Sequence, residues 1–219
     1  MLALALVLLS AAAPTPPPPC RYQDLETRKQ SLDDWPYTVL DTVYKLPETY
    51  SPHDLVPLSE AGVGTDDMQV RALVLPDLEA LLTAAQEAGT PLEVQSAYRS
   101  YTYQVSTFDY WVEQDGVAAA LATSARPGHS EHQLGTALDF RSEGGPAAWD
   151  VADWRDTPEG TWLAENAVRY GFVMSYPKGQ RSITCYTYEP WHYRYVGRDI
   201  AAEVAASGMT LRAWLWQQP

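Results

Sequence analysis

Apolar residues punctuate the chain at spacings that separate helices from strands. Between Pro76 and Gly89, Leu78, Leu81, Leu82 and Ala85 recur at helical spacing. Pro76 suits a first helical turn and Gly89 a stop, so this stretch predicts a helix. Leu92-Glu93-Val94-Gln95-Ser96-Ala97-Tyr98 alternates and predicts a strand. Helical spacing resumes over 100–114 through Tyr103, Phe108 and Trp111, and 116–128 reads as loop or short helix. Gly135–Phe140 reads as a short strand. Thr157 can cap a helix reaching about Tyr170, with Gly171 ending it. Phe172–Tyr176 and the aromatic-rich Tyr188–Val196 are strand candidates, and 199–206 and 211–217 closing helices. Residues 21–66 lack such periodicity and carry turn formers such as Asp33-Asp34 and Ser51-Pro52. They read as an irregular N-terminal wrap with room for one short helix, ahead of a domain at 67–219. Strands separated by helices without a regular βαβ rhythm predict a single α+β domain.

The N-terminus changes this picture. Met1 to Ala13 is apolar apart from Ser10, but a bilayer span needs about 20 such residues. The segment fits the core of a secretory signal, with Ala11–Ala13 as small residues for cleavage. Export to the periplasm, cell envelope or medium is the expectation, with a membrane tether if the segment is retained. Pro14–Pro19 holds five prolines, an extended spacer over 14–20. Of the two cysteines, Cys20 and Cys185, an oxidising compartment would allow one disulfide; two separate thiols are the alternative.

Composition narrows the partners. The chain has 219 residues, 46% of them hydrophobic and 20% charged, which fits one folded domain with an appendage. A net charge of −13 argues against nucleic acid and against electrostatic attachment to anionic lipid. Eight Trp and fourteen Tyr either pack cores or line clefts for sugars and peptides. Nothing implies an obligate protein partner, and a monomer is expected.

Chemistry concentrates around two of the four histidines. One lies in Ser130-Glu131-His132-Gln133-Leu134-Gly135-Thr136-Ala137-Leu138-Asp139, the other in Glu189-Pro190-Trp191-His192. A catalytic zinc takes three protein ligands and keeps one place open for water. His132, Asp139 and His192 could supply the ligands, and Glu189 a carboxylate to take the water's proton. On a flat strand, residues seven or three apart face opposite sides. Both pairs converge only if the chain bends, which Gly135 and Pro190 allow. Alone, such spacings occur widely, and a lone His is more often a structural hydrogen-bonding residue.

Three segments carry a resemblance. S-x-Y-R-S at Ser96–Ser100, R-P-G-x-S-E-H-Q-x-G-x-A-x-D at Arg126–Asp139, and Y-E-P-W-H-x-R-Y-V-G at Tyr188–Gly197 are similar, in this order, to the motifs of VanY-type D-alanyl-D-alanine carboxypeptidases. The likeness covers about residues 70–200. It implies one zinc ion held by His132, Asp139 and His192, with Glu189 as general base. It implies Arg99 as the arginine that binds substrate and helps neutralise the oxyanion, and Ser130 beside the substrate backbone. Gln95 and Tyr98 are further cleft candidates. His129 reads as a loop residue, and Trp191 as packing behind the ligands. Many relatives have Gly where this chain has Cys185, which puts the local loop in question and raises a thiolate ligand as a rival.

The implied fold is an α+β domain whose small antiparallel sheet carries the zinc site between flanking helices. The implied reaction removes a terminal D-alanine from a peptidoglycan stem peptide. L,D-carboxypeptidase, dipeptidase and endopeptidase activities share the scaffold and stay open, because loops set specificity. A non-catalytic zinc-containing wall-binding module and an aromatic-rich carbohydrate-binding domain are the rivals from other classes.

Overall fold

The computed structural model describes residues 15–63 and 67–219; the signal-like segment read at 1–13 lies outside the described residues. The N-terminal part is mostly irregular, as its lack of periodicity predicts. It forms two short ladders, β1 (Leu25–Glu26) parallel to β2 (Tyr44–Lys45) and β3 (Leu55–Pro57) antiparallel to β4 (Gln69–Arg71). The β3–β4 ladder spans the boundary expected at residue 66, so wrap and domain are one folded body. Arg71 reinforces this: its side chain binds Asp54 at 2.9 Å and the Leu32 carbonyl at 2.8 Å.

Helix α1 (Leu75–Glu87) buries Leu78, Leu81, Leu82 and Ala85, the residues whose spacing predicted it. Next come β5 (Leu92–Ser96), α2 (Tyr101–Asp115), α3 (Val117–Thr123) and β6 (Ala137–Ser142). Thr157 caps α4 (Pro158–Asn166), accepting from the Gly160 N–H; a 3-10 turn then runs to Tyr170 and ends at left-handed Gly171. The chain finishes with β7 (Phe172–Met174), α5 (Arg181–Thr184), β8 (His192–Tyr195), α6 (Arg198–Ser207) and α7 (Leu211–Trp216). Among the described residues, no helix is long and apolar enough to cross a membrane.

The central sheet has the order β5-β6-β8-β7 and is antiparallel throughout. Strand alternation divides its residues between two faces. Val94, Leu138, Phe140, Phe172, Tyr193 and Tyr195 join α1 and α4 in the main core. Asp139, His192 and Arg194 point to the other side and are buried too. The register sets Asp139 directly opposite His192. β8 is shorter than the predicted 188–196 because Pro190 has no N–H for a ladder; the His192 N–H instead closes a turn onto the Glu189 carbonyl at 3.2 Å.

Cys20 and Cys185 form a disulfide, with Cα atoms 5.2 Å apart. Cys185 has φ 73°, the one described non-glycine residue in the left-handed region. A backbone of that shape suits glycine best. The loop keeps the shape, the sulfur is bonded to Cys20, and the thiolate-ligand rival falls.

Candidate metal centre and active site

Each ligand candidate is placed by a different local device. His132 sits in a 3-10 turn, Glu131–Leu134, which Ser130 caps by accepting the His132 N–H at 3.3 Å. Gly135, at φ 73°, reverses the chain into β6, and Asp139 follows on the buried non-core face of that strand. The bend expected at Gly135 is there. His192 opens β8 after the Glu189–Pro190 turn. One ligand atom from each of His132, Asp139 and His192 lies within 4.8 Å of the other two, and all three residues are buried.

The hydrogen bonds around this trio fit a cation. The Ala97 carbonyl, 2.7 Å from His132 Nδ1, can only accept, so that nitrogen carries the proton. His132 Nε2 is then a lone pair that makes no hydrogen bond, although it lies 3.2 Å from Asp139 Oδ2. A nitrogen lone pair facing a carboxylate oxygen inside a protein is unfavourable unless a positive charge sits between them. Burial and the Arg99 charge hold the His132 imidazole down to about 4, against Asp139, which favours its protonation.

His192 carries the opposite balance. Burial opposes its charge, but Asp139 at 3.0 Å from Nδ1 and Glu131 at 2.9 Å from Nε2 hold the imidazolium up to about 10. The surroundings therefore favour positive charge at this point. Burial would raise the Asp139 carboxyl, yet the two histidines hold it far below the usual carboxylate range. Two imidazoles and one carboxylate make the donor set of a catalytic zinc site. Each imidazole has its second nitrogen fixed, one by a carbonyl and one by a carboxylate, as zinc-ligating histidines do.

Glu189 stands beside the trio without joining it. Its Oε2 is 3.9 Å from His192 Nδ1, and its N–H donates to the Tyr176 carbonyl at 3.1 Å. Burial pushes its carboxyl up to about 8; His192 and Arg99 pull it down, Asp139 and Glu131 push it further up. Arg99 donates from Nη1 to Ser96 Oγ at 3.2 Å and comes within 4.0 Å of Asp139 Oδ2. Its Nε is buried with no partner.

A cavity of about 580 Å³ runs up to these groups, lined by Arg99, Ser130, Glu189 and the trio. All six residues singled out in the sequence therefore meet at one place. Gln95 lines the cavity as well, whereas Tyr98 is turned toward Ser51, 3.4 Å away. Trp191 packs on the core, as expected, but another part of it lines the cavity, and its ring meets Trp149 edge-on at 6.3 Å. His129 is no ligand: its nitrogens bind the Asp41 carbonyl at 2.6 Å and Asp24 at 3.0 Å.

Sequence reasoning missed Glu131, Ser175, Arg194 and Tyr176. Glu131 lies next to His132 in the motif yet serves the other histidine, and Ser175 Oγ donates to it at 2.5 Å. The Tyr176 ring lies 4.8 Å from that of His192. Alternation on β8 was the one available signal, because it places Arg194 on the face of His192.

Residues 67–198 match the VanY family, D-alanyl-D-alanine carboxypeptidase. The Bacillus subtilis protein YodJ is 38% identical over 78% of this chain; the match spans 63% of YodJ, less than two thirds of its length. The solved LdcB LD-carboxypeptidase superposes with a TM-score of 0.71 at 29% identity, covering 91% of this chain and 99% of LdcB. A zinc complex of the vancomycin-resistance D,D-pentapeptidase VanY, in a mutant form, superposes with a TM-score of 0.69 at 30% identity, covering 83% of this chain and 99% of VanY. With a family match over more than half its length and one zinc site built from His132, Asp139 and His192, the chain belongs to the VanY family of D-alanyl-D-alanine carboxypeptidases.

Proposed function

We propose that the protein is an exported zinc carboxypeptidase that hydrolyses the last peptide bond of peptidoglycan stem peptides, releasing D-alanine. One observation carries the reading: a three-ligand metal set and an unligated buried carboxylate, Glu189, share the end of one cavity with Arg99. A structural zinc site would use four protein ligands and need neither of the other two groups.

His132, Asp139 and His192 hold the ion. When bound, zinc supplies Lewis acidity, lowering the pKa of a water toward ~7 and polarising a carbonyl. Glu189, with its raised proton affinity, accepts the water's proton and later delivers it to the leaving amine. Arg99 meets the charge that develops on the carbonyl oxygen, with a guanidinium held beside Ser96 and Asp139. Ser130 stands at the cavity wall with its hydroxyl engaged by the His132 N–H, in reach of a substrate backbone. A cavity of about 580 Å³ has the volume for a short peptide segment.

Export is supported by the paired cysteines, which persist in oxidising compartments, and by the apolar N-terminal residues. Cleavage of a D,D bond is favoured over an L,D bond by the family match, while the likeness to LdcB keeps the second specificity in view. Incubation with synthetic pentapeptide and tetrapeptide stems, with chelator and then with zinc added back, separates the two. The proposal expects chelator-sensitive D-alanine release, restored by zinc and faster from the pentapeptide. Faster release from the tetrapeptide would make the enzyme an L,D-carboxypeptidase. No release from either would overturn carboxypeptidase activity.

A further inference from the structure

A buried polar chain links the metal ligand His192 to the N-terminal wrap. His192 Nε2 donates to Glu131 Oε2 at 2.9 Å, and Arg194 Nη1 donates to Glu131 Oε1 at 3.1 Å. The same Nη1 donates to the Thr38 carbonyl at 2.8 Å, and Nη2 to the Trp35 carbonyl at 2.6 Å. Arg194 is 0% exposed and Glu131 5%. Trp35 is kept in place by stacking on Tyr195 at 5.6 Å. Trp35 and Thr38 lie before residue 67, where the family match begins. The wrap, outside the segment that the family model matches, therefore supplies the last anchor in the series.

We propose that Glu131 is the positioning residue for His192, and that Arg194 transmits to it the hold of the wrap's Trp35–Thr38 segment, so that zinc affinity depends on the wrap. A carboxylate on the far nitrogen of a ligating imidazole fixes the tautomer and ring orientation and strengthens its donation. Ser175 and His192 hold only Oε2 of this carboxylate, so without Arg194 it could turn about that oxygen. Arg194 prevents this with a planar fork that reaches one carboxylate oxygen and two carbonyls at once, which a lysine ammonium cannot match. The alternation that puts Arg194 on the His192 face of β8 makes the link short.

The inference rests on the metal reading above, and the test separates the two. Zinc dissociation constants are measured by chelator competition for wild type, E131Q, R194K, W35A and the doubles E131Q/R194K and E131Q/W35A, together with the visible spectrum of each cobalt-substituted protein. E131Q should weaken zinc by about 10–100-fold and shift the cobalt bands. R194K and W35A should weaken it by smaller factors that vanish when E131Q is already present. W35A, altering a half-buried residue, keeps the test available if R194K does not fold. A85G, a change inside helix α1 on the opposite face of the sheet from His192 and Arg194, controls for stability: it should lower the melting temperature and leave zinc affinity unchanged. Multiplicative effects in the doubles, or unchanged affinity in E131Q, would overturn the relay while wild type still binds one zinc. A wild type that binds no zinc would instead overturn the metal reading.

Discussion

Burial sets the proton affinity of Glu189 first; His192 and Arg99 then work against Asp139 and Glu131, leaving the carboxyl at about 8. This suits a base that must hold and release a proton near neutrality, and it costs stability. The unfolded chain ionises the group near its ordinary value of 4.5, the folded protein near 8. Between those values the folded protein keeps a proton that the unfolded chain has lost, so stability falls as pH rises through that window. In chelated protein, Glu189→Gln should therefore raise the melting temperature at about pH 8.5 and change it little at about pH 4.5. An equal change at both values would contradict the raised proton affinity. The six site residues were legible as residue types in motifs. Glu131 was not, because its partners His192, Ser175 and Arg194 come from segments 44 or more residues away, and no local spacing encodes that meeting.

Elements were legible wherever one local cause fixed them. The spacing of Leu78, Leu81, Leu82 and Ala85 gave α1, and Thr157 and Gly171 bracketed α4 and its 3-10 extension. The strand ends were harder, since β7 and β8 stop where tertiary pairing stops. The turn between His132 and Asp139 is the element on which the site depends. A Cβ at Gly135 would lie 2.9 Å from Arg71 Cγ and 3.1 Å from Leu55 Cδ2, on a backbone at φ 73° that side chains seldom adopt. Gly135→Ala should lower stability by about 1–3 kcal/mol and weaken zinc as His132 shifts relative to Asp139. Thermal melts with and without zinc would show it, through a smaller zinc-induced rise than in wild type. An unchanged rise would mean that the turn does not set the ligand geometry.

At the scale of the molecule, the N-terminal arm and wrap are tied to the catalytic body by the disulfide and by Arg212. This buried side chain binds Asp41 at 2.6 Å, the Ile183 carbonyl at 2.7 Å and the Pro18 carbonyl at 3.0 Å. The sequence showed the wrap only as an absence of periodicity, because its order comes from long-range polar contacts and not from a repeating apolar face. The Cys20–Cys185 bond joins residues 165 apart, a long loop whose closure restricts the unfolded chain. Replacing both cysteines with serine should cost about 2–5 kcal/mol, read as a lower melting temperature and denaturant midpoint. An unchanged midpoint would mean that the polar contacts alone hold the arm.

In the proposed site, three ligands hold zinc and one carboxylate moves the proton. D-alanine release by zinc-loaded Glu189→Gln tests that division most directly, with metal content determined on the same sample. One zinc per chain and a rate lowered by about 10²–10⁴-fold are expected. One zinc per chain with release near the wild-type rate would contradict that division.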